Sequence, residues 1–404
     1  MAAGNEQFDR QLAEGYLDAI APPGVEVREL LDLGRADHDE PDQPLNLTAL
    51  ALRTSAYANG VSRLNGEVAD RMWRHISPGT PAEEPLVDAI TNGVHVPTWL
   101  GLELRNLLRR CLGADWYEEL LGPEAWQQVA EIPDEELWNA HQAQKERLLR
   151  FTRSRLREQY GRHGLPPSEL REVAELFRAD ALTIGFARRF ATYKRAGLLF
   201  SDLHRVRHLL DHAERPVQVF LAGKAHPADR PGQDLIRHIV QLSREPDLKG
   251  RVVFLENYDI RVARMMVQGC DVWLNTPRRL LEASGTSGQK AAINGVLNLS
   301  ILDGWWPEGW DGENGFAFGS EEPSYDEWKQ DQEDALALYH TLEEEVVPDY
   351  YERDEGGLPR AWIARMRRAI TTIGPRFSSS RMVRDYAEKA YMPLARGSGE
   401  PLVR

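Results

Sequence analysis

The chain has 404 residues, with 49 basic against 63 acidic side chains and a formal net charge of −14. Hydrophobic residues make up 42% of it and charged ones 28%, which is enough apolar side chain to fill a core and excludes a wholly disordered or collagen-like chain. The acidic balance excludes general affinity for nucleic acid or anionic membranes, so any anion site needs a local basic cluster.

The length predicts two domains, or one large domain with a helical appendage. Residues 1–8 carry neither a basic stretch nor an apolar core, so no signal peptide is expected. No apolar run approaches the ~18 residues of a membrane helix, and the sequons at Asn46 and Asn298 therefore carry no weight. Cys111 and Cys270 are the only cysteines, a reducing-compartment composition with neither disulfide framework nor zinc spacing. A cytoplasmic location is expected.

In chain order, residues 1–92 are acidic and helical in pattern, with a Pro/Asp-rich break at 37–44. A second helical stretch covers about 97–177, with an amphipathic run around 148–160 and a loop at 164–169. From residue 181 the texture changes. Short apolar runs at 181–188, 217–224, 251–258, 271–277 and 297–303 read as strands, the last being the final one. Helical patterns at 193–210, 234–242, 260–268 and from about 290 separate them. This alternation predicts βαβ units and a parallel sheet. Residues from 321 onward read as helical, broken near Gly356-Gly357 and Gly374-Pro375.

Three segments could carry chemistry. The segment 282–290 (EASGTSGQK) follows a strand and opens a helix. Gly285 and Gly288 let a ligand approach the backbone, and Ser284, Thr286 and Ser287 offer hydroxyls and N–H groups suited to phosphate. Lys290, in the first helical turn, opposes the helix dipole. It makes sense facing an anion, or as an amine in a Schiff base, although an ordinary capped strand–helix turn has the same composition. The second segment places Arg188, Arg189, Lys194 and Arg195 at the carboxyl end of a strand, where α/β sheets bind ligands; a focused anion site is favoured there over a solvated helix start. The third, 303–311, sets tryptophans beside carboxylates and would suit sugar rings, but a rim of core aromatics is the simpler reading. His204, His208 and His212 share a helical face, and their charged neighbours favour a surface helix over a metal site.

Taken together, these residues resemble the C-terminal portion of the glycogen and maltodextrin (α-glucan) phosphorylases, most closely the short bacterial type. Five blocks occur in family order: Asn59-Gly-Val61, Thr91-Asn92-Gly93, Arg189 to Lys194, Glu256-Asn257-Tyr258, and Glu282 to Lys290. The resemblance implies a Rossmann-like α/β domain of the glycosyltransferase B type. Residues 1–92 would be a helical remnant of the family's N-terminal domain, and 93–404 the pyridoxal-phosphate-binding domain, with its core sheet at about 181–320 and C-terminal helices at about 321–395. It implies pyridoxal 5′-phosphate bound to Lys290, with Arg188, Thr286, Ser287 and Tyr258 around the cofactor. Arg189 and Lys194 would hold the substrate phosphate, and Asn92, Glu282, Ser284, Gly285 and Val61 the glucose.

The implied reaction is reversible phosphorolysis of α-1,4-glucan by inorganic phosphate to glucose 1-phosphate. The family's glycine-rich loop and glucose-contacting histidine have no counterpart in this chain, so a separate N-terminal half chain or a homo-oligomer is the expected partner. The face around Asn59 to Arg63 is then expected to expose apolar surface. Asn65, Leu281 and Gln289 depart from the family's usual His, Pro and Met. The alternative is a catalytically inactive pyridoxal-phosphate- or sugar-binding domain. A glycoside hydrolase using Asp303 and Glu308 ranks last, having no use for Lys290 or the basic strand end.

Overall fold

The structure, a computed structural model, describes residues 6–37, 43–79, 81, 83–113, 116, 126–322 and 326–396. Most of the Pro/Asp-rich break lies outside these residues. Two compact units form, one from residues 1–92 with 382–404, the other from 93–381.

The first unit is built of short helices, among them Arg10–Ile20, Val27–Leu33, Leu47–Thr54 and Arg63–Trp73, and two ribbons of two strands each. Its apolar exposure is not where the sequence places it. Gly60 and Ser62 are buried and Val61 is half-buried, because Gly60 packs directly on the backbone of Gly66. Leu12, Tyr16 and Ile20 are exposed instead, spaced four residues apart along one helix face.

The second unit contains a six-stranded, wholly parallel sheet. Its strands are β1 (Leu182–Arg189), β2 (Val217–Lys224), β3 (Val252–Leu255), β4 (Val272–Asn275), β5 (Leu297–Ile301) and β6 (Gly315–Phe318). Their spatial order is β6-β5-β4-β1-β2-β3. The chain winds outward from β1 to β3, crosses back, and winds outward again from β4. This is the Rossmann order, and β1 beside β4 is the point where it reverses.

Side-chain alternation sends each strand into two cores. Leu182, Ile184 and Phe186 of β1, Val219 and Leu221 of β2, and Val272 and Leu274 of β4 enter one, with Ile363, Met366 and Ile370 of the helix Arg360–Arg376. Ala187, Phe220, Ala222 and Trp273 enter the other, beside Leu148, Leu149 and Leu156 of the long helix Asp134–Arg162 and Met266 of Ile260–Gly269. Glycine is required at position 185, since a Cβ there would lie 2.6 Å from the Sγ of Cys270.

Three expectations need correction. The sheet has a sixth strand, β6, after the one taken as last; its Gly-Phe-Ala-Phe run pairs in register with β5. Residues 193–210 are not one helix but two 3-10 turns followed by Leu203–Leu210, because Arg195 adopts a left-handed conformation with φ 44°. The helix Arg360–Arg376 also runs through Gly374-Pro375. Its buried stripe carries it to the end, where Pro375 leaves few bonds to disrupt.

A buried ion pair ties the helix Asp134–Arg162 to the amino ends of β1 and β4. Lys145 donates to Asp271 Oδ2 (2.6 Å), Ala181 O (2.6 Å) and the Tyr350 hydroxyl (2.8 Å). Asp271 also accepts the Thr183 N–H (2.7 Å) and lies 2.8 Å from His141 Nε2. Burial alone would push the Asp271 carboxyl up; Lys145 and His141 outweigh it and hold it below the usual range. Lys145→Met leaves that carboxylate without its lysine partner and is expected to cost about 3–5 kcal/mol in urea unfolding. Lys145→Met with Asp271→Asn should recover part of the loss, and a double variant no more stable than the single one contradicts this.

Candidate active site

The carboxyl ends of β1 and β4, where the strand order reverses, bring the predicted residues together. β1 ends in Arg188 and Arg189, and β4 in Asn275. The Arg188 guanidinium spans the gap, donating to Asn275 Oδ1, with Ser287 Oγ at 3.4 Å and Glu282 Oε2 at 3.5 Å. Its Nε is buried without a partner. Burial pulls its proton affinity down, and Glu282 opposes that.

Lys194 lies in the turn after β1 and pairs with Glu282 Oε2 from the loop after β4. Its ammonium also sits 4.7 Å from the centre of the Tyr193 ring. Burial, with Arg188 and Arg189 nearby, lowers its pKa to about 8, although Glu282 resists. Arg189 is exposed. Of the four cations seen in the sequence, Arg195 alone is committed elsewhere, to Asp331 and Asp334 at 2.9 and 2.8 Å.

The loop after β4 turns at Gly285, whose φ of 81° favours glycine. Ser284 is buried, and its Oγ has no hydrogen-bond partner among the described residues. Ser287 Oγ accepts the Trp273 indole N–H at 3.1 Å. Thr286 immediately precedes the short helix Ser287–Ala292, in which Lys290 is the fourth residue. The Lys290 ammonium lies 4.0 Å from the centre of the Trp99 ring, and burial lowers its proton affinity. Tyr258 is half-buried against the second core, and it feels the charge of Arg188.

Asn92 and Val61 belong to the first unit, where the Asn92 N–H donates to Val61 O (2.9 Å) and the Val61 N–H to Asn65 Oδ1 (3.0 Å).

Asp303 has a role that the sequence reading missed, and the tryptophan run follows the simpler reading of core aromatics. Asp303 accepts the Glu282 N–H (2.9 Å) and the Gly304 N–H (2.9 Å), and so holds the loop that carries Glu282. Trp305 and Trp306 are buried, and Trp305 stacks edgewise on Phe377 with ring centres 4.7 Å apart. The tryptophan run is therefore core packing, apart from the partly exposed Trp310. Arg188, Asn275, Glu282, Ser284, Asp303 and Trp305 line one small recess of about 10 Å3. Among the described residues there is no cluster of three or more His, Cys, Asp and Glu side chains that could hold a metal, and no helix long and apolar enough to cross a membrane.

The sequence profile of the carbohydrate phosphorylases matches residues 29–348. The chain belongs to that family. It is 47% identical over 392 residues to a maltodextrin phosphorylase of Thermococcus litoralis, covering 96% of this chain and 45% of the relative. It is 44% identical over 376 residues to a glycogen phosphorylase of Aquifex aeolicus, covering 93% and 53%. A glycogen phosphorylase of Mycobacterium tuberculosis is 40% identical over 400 residues, covering 97% and 46%. The chain thus spans about half the length of the curated relatives it matches. The family agrees with the Rossmann-like parallel sheet.

Burial raises the Asp303 carboxyl to about 6, helped by the nearby Glu282 charge and opposed by the two N–H donors. A carboxyl raised in the folded state binds more protons there than in the unfolded chain between about pH 4 and 6. Stability from this group is therefore lost as pH rises through that window, by about 3 kcal/mol. The stability of wild type relative to Asp303→Asn should fall by that order between pH 4 and 7 in denaturant titrations; a constant difference would show that Asp303 titrates normally.

Proposed function

We propose that this chain is the cofactor- and phosphate-binding portion of a cytoplasmic α-1,4-glucan phosphorylase of the glycogen and maltodextrin type, and that turnover needs the further length its relatives carry. Lys290 carries the reading: it is a half-buried amine of lowered proton affinity, with no carboxylate paired to it among the described residues. It belongs to a turn that also offers the unpartnered Ser284 hydroxyl and the Ser287 hydroxyl beside Arg188.

These donors fit pyridoxal 5′-phosphate, which needs an amine able to lose its proton and a cationic, hydroxyl-lined place for its phosphate. Lys290 would hold it by the amine, Arg188, Thr286 and Ser287 would surround its phosphate, and Tyr258 would line its pocket. When bound, it supplies a phosphate group able to give and take a proton beside the substrate phosphate.

The chain's own residues would do the rest. Lys194, with a pKa of about 8, is mostly charged at neutral pH, and with Arg189 it would bind the substrate phosphate. An arriving dianion competes with Glu282 for the Lys194 ammonium, which releases the Glu282 carboxylate to accept from a glucose hydroxyl. Ser284 and Gly285 would complete the glucose contacts that this unit supplies. Fixed cations and N–H groups need no rearrangement as charge moves between sugar and phosphate, and this is their catalytic value. The net reaction is phosphorolysis of the terminal α-1,4 bond by inorganic phosphate, giving glucose 1-phosphate and a shortened glucan.

The purified chain should carry cofactor absorbance outside the protein band, and Lys290→Ala should abolish it; a wild type that binds no pyridoxal phosphate sinks the proposal. Maltodextrin and phosphate should yield glucose 1-phosphate when the separately expressed N-terminal half of the Thermococcus litoralis relative is added. No product in either condition, with cofactor bound, favours a binding domain without turnover. Lys194→Ala should weaken phosphate use about 10- to 100-fold, as expected for a lost charge-assisted contact, with cofactor retained. Equal loss of both would remove Lys194 from the substrate site.

A further inference from the structure

The loops that leave β1 and β4 carry Lys194 and Glu282 from separate parts of the chain, and their pairing needs both loops held in one register. We propose that Arg195 and Thr276 form a clasp between these loops that positions Lys194. Neither residue touches the reacting atoms; both act through the main chain of Lys194. That the clasp serves phosphate binding rests on the phosphorylase reading. The clasp itself does not.

Arg195 has φ 44° and ψ 48°, a left-handed conformation that is unfavourable for a residue with a side chain. Such a conformation persists only where surrounding contacts over-determine it. Here they do. The guanidinium is 4% exposed. Its Nε donates to Thr276 O (2.9 Å) and its Nη2 to Pro277 O (2.8 Å). Nη1 pairs with Asp331 and Asp334, both on the helix Glu327–Thr341. Only a planar fork of donors can meet two successive carbonyls and two carboxylates at once.

Thr276 closes the clasp from the other side. Its hydroxyl lies 2.8 Å from Lys194 O and 3.1 Å from Arg195 O, and the residue is almost wholly buried. One residue earlier, Tyr193 O accepts the Arg278 N–H at 2.8 Å. The backbone is therefore pinned before, at and after Lys194, each time to the loop that leads to Glu282. Only the Lys194 side chain is left free to answer a ligand. The two aspartates also neutralise Arg195, so its charge does not compete for the anion.

Thr276→Val removes the hydroxyl at nearly constant volume, Thr276→Ser keeps it, and Arg195→Lys keeps the charge without the fork. The Lys194 amine can be followed by NMR titration of labelled lysine in the whole chain, its signal assigned by its absence in Lys194→Arg. In Thr276→Val and in Arg195→Lys the titration should move up by about one pKa unit or more as the amine leaves its buried place, while Thr276→Ser follows wild type. An unchanged titration in both variants overturns the clasp even if their melting temperatures fall, since that would be a merely structural role. Calorimetric titration with inorganic phosphate gives the second readout: binding about tenfold weaker in Thr276→Val and Arg195→Lys, and unchanged in Thr276→Ser. A wild type that binds no phosphate counts against the phosphorylase reading, and the lysine titration then still decides the clasp.

Discussion

The buried pair of Lys145 and Asp271 sets the geometry on which the rest depends. It fastens a 29-residue helix to the amino ends of β1 and β4. Those are the two strands between which the sheet reverses its winding. A charge pair at this depth is retained only where its remaining donors and acceptors are met, and Ala181, Thr183, His141 and Tyr350 meet them here. With the amino ends locked and both sheet faces covered by helices, the carboxyl ends are where loops diverge and a ligand can enter.

At those carboxyl ends the energetics run the other way. Arg188, Arg189 and Lys194 crowd together, with Glu282 the carboxylate set against them. Burial first, and the charges of Arg188 and Arg189 after it, lower the proton affinity of Lys194. Asp303 belongs to the same balance. By accepting the Glu282 N–H it adds another acid to the site and is pushed toward neutrality by its burial. A clamped scaffold at one end of the strands and crowded, paired charge at the other are complementary parts of one design.

Much of this was legible in the sequence. The alternation of short apolar runs with helical patterns identified five of the six strands, because strands buried on both faces read as continuous Val, Leu, Ile and Phe. Strand β6 escaped because its Gly-Phe-Ala-Phe run is short and enters from a polar turn. Arg188, Lys194 and Lys290 were found from charge placed at strand and helix ends, and Glu282 from the family resemblance of its loop. Arg195 was grouped with them because a sequence shows charge but not pairing, and its partners stand more than 130 residues away on a later helix. Asp303 was first seen as a carboxylate among tryptophans; its role depends on a backbone N–H 21 residues earlier, which no local pattern announces. The Lys145–Asp271 pair went unread for the same reason, since a lysine inside a charged helical stretch looks solvated until the sheet closes over it.

The closeness of Gly185 to Cys270 has a chemical consequence. The thiol is fully buried beneath β1, and that burial pushes its pKa well up. It is thereby withdrawn from thiolate chemistry. Cys111 is the exposed one, so it is the thiol that oxidants in solution reach. Any disulfide between molecules would therefore run through Cys111, and the core around Cys270 would take no part in it.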